Sequence, residues 1–154
     1  MSEHKASIAW AFSGEDFLKG RYSREHTWVF DGGVTIPASP SPSVVPAPYS
    51  NAKNVDPEEA FVASIASCHM LTFLYLAGRE GIEVTSYEDD AVGVMTKNER
   101  RVPWVSSVLL SPRVRYGADK APSPEQERRL HEEAHHGCFI ANSVKTEITV
   151  KLAP

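Results

Sequence analysis

Two thiols, Cys68 and Cys138, stand seventy positions apart, and each sits among residues that bear on sulfur chemistry. Cys68 lies midway along the apolar run "DPEEAFVASIASCHMLTFLYLAG", residues 56–78, with His69 beside it. Cys138 follows Gly137 and is closely preceded by His135 and His136. A free thiol has a pKa near 8.5, so only about 3 % is thiolate at neutral pH, and burial lowers that fraction further. A reactive Cys68 therefore needs a cation close by, and arginine suits because it stays charged when buried. His69 points about 100° around the helix from Cys68, which makes it a hydrogen-bonded packing histidine rather than a base for this thiol. Cys138 opens a new turn after a glycine, where unpaired backbone N–H groups favour thiolate. Three chemistries compete: inert packed thiols, a mixed nitrogen and sulfur metal site, and a redox pair. The metal reading would draw on Cys68, His69, His135, His136 and Cys138. It is disfavoured because no tight ligand pair of the zinc-ribbon kind is present and adjacent histidines splay apart.

The elements that position these groups follow from pattern. "SIAWAFS" (7–13) and "RYSREHTWVFD" (21–31) alternate, and "GEDFLKG" between them carries turn residues, so a hairpin is expected. "PASPSPSVVPAPYSNAKNV" (37–55) is too rich in proline for helix or central strand and reads as a long ordered surface loop. A long helix then starts at Asp56 as cap, with Pro57 in the first position and Glu59 completing a capping box. It should run to Ala77 and end at Gly78 or Gly81. Two extended segments, 82–96 and 102–116, are joined by a "KNERR" turn. A second helix spans 123–137, with Ser123 as cap, Pro124 and Gln126 behind it and Gly137 as stop. "CFIANS" (138–143) suits a short helical turn, and alternation over 144–152 predicts a closing strand. The order implies an α+β fold with a largely antiparallel sheet.

The chain has 154 residues, enough for one domain over residues 1–154. Its net charge of −4 gives no footprint for nucleic acid or an anionic membrane. The N-terminus lacks the pattern of a secretory signal, which predicts a cytoplasmic, reducing location without a permanent structural disulfide. The Ala60–Ala77 run approaches spanning length, but Ser64, Ser67, His69 and Thr72 interrupt it, so a buried soluble helix is expected. That helix is apolar on nearly every side. Its Ala60, Ala63, Ser67 and Met70 face is small enough to admit a second helix, so a homodimer is expected.

"DPEEAFVASIASCHM" (56–70) and "GCFIANSVKTEITV" (137–150) together resemble the paired motifs of the OsmC/Ohr family of thiol-dependent hydroperoxide reductases. The resemblance extends over nearly the whole chain in element order. It implies an intertwined homodimer in which antiparallel sheet wraps the long central helices, with sites at the subunit interface. It further implies that Cys68 is the peroxidatic cysteine, Cys138 the resolving one that forms a disulfide with it, and Glu58 the helix-start glutamate. Glu58 and Cys68 are about 15 Å apart along one helix and on different sides, so Glu58 would serve the partner's site. The activating arginine would be Arg24 or Arg21. Strand alternation places Arg24 inward with Tyr22, Trp28 and Phe30, and Arg21 on the opposite face with Glu25. Phe61, Ile65, Leu71 and Tyr49 would line an apolar channel that favours organic hydroperoxides over hydrogen peroxide. A dithiol, of dihydrolipoyl type by resemblance, would reset the pair, with no cofactor or metal. The competing expectation is a non-catalytic dimeric module that binds a hydrophobic small molecule and keeps both cysteines inert.

Overall fold

The computed structural model describes residues 1–117, 119 and 121–152. The chain divides into two compact units, 1–60 and 61–154.

In the first unit, β1 (Ala6–Ala9) pairs antiparallel with β4 (His26–Phe30), setting Ile8 opposite Trp28 as in the expected hairpin. The connection is not a simple turn. It forms its own small ribbon of β2 (Gly14–Asp16) and β3 (Arg21–Tyr22). The ribbon gathers Trp10, Phe12, Phe17 and Tyr22 into one aromatic cluster, with Phe17 and Tyr22 stacked at 4.8 Å. A further strand, β5 (Thr35–Ala38), takes the edge beside β4 and so claims the start of the proline-rich stretch. Pro37 is tolerated there because an edge strand can spare one ladder donor. The rest of that stretch is irregular but tied down. The Glu25 carboxylate accepts from the Asn51 and Asn54 amides at 2.7 and 3.1 Å, and the buried Ser39 hydroxyl accepts from the Asn51 N–H at 2.8 Å. The Asn51 bond is the main reason the Glu25 carboxyl is held below its usual pKa.

Helix α1 (Pro57–Arg79) begins as its sequence dictates. The Glu59 N–H donates to Asp56 Oδ1 at 2.7 Å and the Asp56 N–H to Glu59 Oε2 at 3.2 Å, a reciprocal box worth about 1 kcal/mol. The helix runs one turn's fraction past Ala77, and Gly81, at φ 74°, turns the chain.

In the second unit, both predicted extended segments are broken in the middle. The first gives β6 (Val84–Asp89) and β7 (Val92–Lys97), and the second gives β8 (Pro103–Leu110) and β9 (Pro112–Tyr116). The Asp89 carboxylate accepts from the Ser111 N–H at 2.7 Å where both segments bend. Consequently β6 and β9 form one ribbon, while β7 and β8 belong to another sheet. The closing strand β10 (Glu147–Val150) adds to β8 in parallel, the one departure from antiparallel pairing among the named strands described. Helix α2 (Pro124–Gly137) carries the full Ser123–Gln126 capping box. A single 3-10 turn, Ala141–Ser143, follows it.

Two apolar clusters hold this unit together. Phe73 and Ala77 of α1 pack on Leu130 and Ala134 of α2, against Val84, Tyr87 and Val114 of the β6–β9 ribbon. Further up α1, Ile65 packs on Val108 and Leu110 of β8, with Ile148 and Val150 of β10 alongside. The helix lies so close to β7 that a Cβ at Gly93 would fall 2.5 Å from Val62 Cγ2. Gly93→Ala is therefore expected to destabilise the protein by about 1–3 kcal/mol, read as a lower urea midpoint with unchanged slope. A neutral result would show that β7 and α1 separate freely.

Candidate functional site: two apposed thiols

α1 presents Cys68 at a half-buried position, and Cys138 caps the C-terminal end of α2, 1 % exposed. Gly137 lets the chain leave α2 beside Thr72, whose methyl would lie 3.3 Å from any added Cβ. The Asn142 amide donates to the carbonyls of His136 and Cys138 at 2.8 and 2.9 Å, which fixes the exit from α2. The outcome is that Cys68 and Cys138 come within 3.0 Å of each other as free thiols.

The environment of Cys138 is mixed. The Ala141 N–H donates to its sulfur at 3.4 Å, as expected for a thiol at the start of a turn, and the Ile140 backbone also favours thiolate. Burial wins and pushes the Cys138 thiol above its ordinary value, with the hydrogen bond to Cys68 acting in the same direction. Burial thus favours the protonated thiol at Cys138, whose sulfur lies against that of Cys68.

His69 behaves as its position predicts. Its Nε2 is hydrogen-bonded to His131 Nδ1 at 3.0 Å, and the rings stack at 5.3 Å with Phe73 against His131. Both imidazoles are at most 2 % exposed, and burial drives each pKa down to about 4, with a neighbouring histidine adding to the shift. Sequence reasoning overlooked His131. Its signal was present, because His131 shares the apolar stripe of α2 with Leu130 and Ala134. Among the described residues, no three His, Cys, Asp or Glu side chains converge to hold a metal ion.

Arg24 is not on a strand, because the chain leaves β3 after Tyr22 and enters β4 only at His26. The alternation argument therefore fails at that residue. Its guanidinium is half-buried over the Tyr22 ring at 4.1 Å and near the Tyr49 ring at 5.9 Å, and donates to the Gly20 and Tyr22 carbonyls. Arg21 is more exposed and lies 3.8 and 3.9 Å from Glu15 and Asp16. Glu58 stands in the first turn of α1 with Glu59. Phe61 flanks the cluster that fully buries Ile65, whereas Leu71 is 60 % exposed.

Comparison with known proteins places this architecture. The sequence profile described as OsmC-like protein matches residues 50–153, which include both cysteines. The chain belongs to the OsmC-like family. No curated protein matches it. Among solved structures, an OsmC-like protein of unknown function from Vibrio cholerae is 48 % identical, with 99 % of this chain and 100 % of that one covered and a TM-score of 0.96. An organic hydroperoxide resistance protein from Elizabethkingia anophelis shares the fold at 18 % identity, with 99 % and 94 % covered and a TM-score of 0.73. The organic hydroperoxide resistance protein OhrB of Bacillus subtilis does so at 18 %, with 99 % and 98 % covered and a TM-score of 0.67. The OsmC-like assignment agrees with the α+β order of strands and helices described above.

Proposed function

We propose that this OsmC-like protein is a thiol peroxidase that reduces organic hydroperoxides, and hydrogen peroxide more weakly. The apposition of Cys68 and Cys138 is the observation that carries this reading. The Cys68 thiolate attacks the distal peroxide oxygen. The O–O bond breaks, the departing alkoxide takes a proton and leaves as alcohol, and Cys68 becomes a sulfenic acid. The Cys138 thiol then attacks that sulfur, water leaves and a disulfide forms. An external dithiol, of dihydrolipoyl type, exchanges with the disulfide and restores both thiols while it is itself oxidised.

While Cys68 holds charge, its contact with Cys138 helps keep Cys138 protonated. Oxidation of Cys68 removes that contribution, while burial continues to hold the Cys138 thiol above its ordinary value against the Ala141 and Ile140 backbone groups. Arg24 is the stronger candidate to activate Cys68. Its charge meets aromatic rings and carbonyls, whereas Arg21 is partly neutralised by two carboxylates. Glu58 would hold the arginine, and Phe61, Leu71 and Tyr49 would receive the organic part of the peroxide.

The same reading includes a homodimer in the cytoplasm. α1 is long and apolar enough to cross a membrane, yet only 22 % of its apolar window is buried. Its exposed positions Ala63, Ser67, Leu71 and Tyr75 recur every four residues and form one continuous stripe. A second copy of the helix would remove this stripe from water.

The test is a steady-state assay with cumene hydroperoxide and dihydrolipoamide. Turnover is expected to exceed that with hydrogen peroxide. Arg24→Ala should lower kcat/KM by roughly a hundredfold, and Arg21→Ala by less than about threefold. Activity indifferent to both variants would remove arginine from the mechanism.

A further inference from the structure

The second unit holds a cavity of about 390 Å³ between α2 and β10. Ile148, Val150 and Leu152 supply apolar lining, and His131, Arg128 and Glu132 the polar lining. Its most telling group is His131. This imidazole is 2 % exposed, its Nδ1 is engaged by His69, and its buried Nε2 has no hydrogen-bond partner among the described residues. A buried imidazole nitrogen left unpaired is costly, and a hydrogen-bond acceptor seated in the cavity that His131 lines would relieve that cost. His135, on the same cavity, also has an unpartnered buried Nδ1.

The charges narrow the ligand. Arg129 is occupied by Glu80 and Glu133 at 2.6 and 2.8 Å, whereas Arg128 takes part in no ion pair among the described residues. Arg128 is therefore a cation available at the cavity. Glu132 lies one helical turn further along and limits the negative charge the site will accept. A single anionic head with an aliphatic tail matches Arg128, His131 and the apolar part of the lining. The carboxylate would accept from Arg128 and from the His131 Nε2–H, with His131 Nδ1 then accepting from His69. The tail would lie on Ile148, Val150 and Leu152.

We propose that the α2–β10 cavity binds an aliphatic monocarboxylate, at a site separate from the two thiols. The probe is octanoate, titrated into the full-length protein by calorimetry, with carboxyl-labelled octanoate followed by NMR. Saturable binding of one octanoate per chain is expected, with Kd below about 1 mM. Octanol and acetate, which each lack one half of the recognised structure, should bind at least about tenfold more weakly. Arg128→Gln, on an exposed residue, is expected to weaken octanoate about tenfold, and Glu132→Gln to tighten it about threefold. Neither should alter peroxide turnover. His131→Gln should weaken binding too. Should it fail to fold, the octanoate-induced shift of the His131 ring nitrogens in the unaltered protein reports the same contact. Non-saturable uptake, octanol binding as tightly as octanoate, or indifference to both rim variants would each overturn the proposal.

Discussion

Cys68→Ser is expected to abolish hydroperoxide reduction, lowering kcat/KM by about 10³-fold or more, because the thiol that remains, Cys138, is buried and its pKa is raised by that burial. Cys138→Ser should behave differently. Its first turnover should keep a near-normal rate, since attack on the peroxide needs only Cys68. It should then stall as a sulfenic acid that a dimedone-type reagent traps. Steady-state turnover with a dithiol should fall by about tenfold or more, because the reductant must then attack the sulfenic acid directly. Rapid-mixing kinetics on the two variants separates the roles. If Cys138→Ser lost the first turnover and Cys68→Ser retained it, the assignment of the two cysteines would be reversed.

Between pH 7 and pH 5 the protein is expected to lose roughly 2–4 kcal/mol of folding stability, through His69 and His131. In the fold both imidazoles are neutral, with pKa values brought down to about 4 by burial. In the unfolded chain they titrate near 6.5, so the unfolded state binds more protons across this window. Stability then rises with pH and is lost as pH falls below about 6.5. The upper figure treats the two unfolded imidazoles as independent. Urea unfolding at fixed protein concentration measures the effect, and NMR titration of the ring nitrogens attributes it. Imidazoles that protonate near pH 6.5 in the folded protein, with flat stability down to pH 5, would contradict the buried neutral pair.

The helices were the most legible part of the sequence, because their signals are local. Asp56, Pro57 and Glu59 open α1, and Ser123, Pro124 and Gln126 open α2, with bonds that need no distant partner. The strands were less so. Alternation over 82–96 and 102–116 reported extended backbone but not the break at Asp90, Ala91 and Ser111, which depends on the tie between Asp89 and Ser111. The parallel placement of β10 and the inclusion of Pro37 in β5 likewise depend on neighbours remote in sequence. Among the site residues, Cys68 and Cys138 were marked by their settings on a helix and at a glycine stop. Arg24 was misplaced on a strand because the chain departs from extended pairing between Tyr22 and His26. His131 went unremarked because one polar residue on an apolar stripe says nothing about its partner, and His69 lies 62 positions away.

The central claim is that Cys68 and Cys138 form one redox unit, and counting thiols in the protein tests it most directly. One equivalent of cumene hydroperoxide per chain should consume two thiols, leave the intact mass lower by two hydrogens, and yield a peptide cross-link between Cys68 and Cys138. Dihydrolipoamide should restore both thiols. Two thiols still titrating after peroxide, with no change of mass, would mean that the pair is packed and inert.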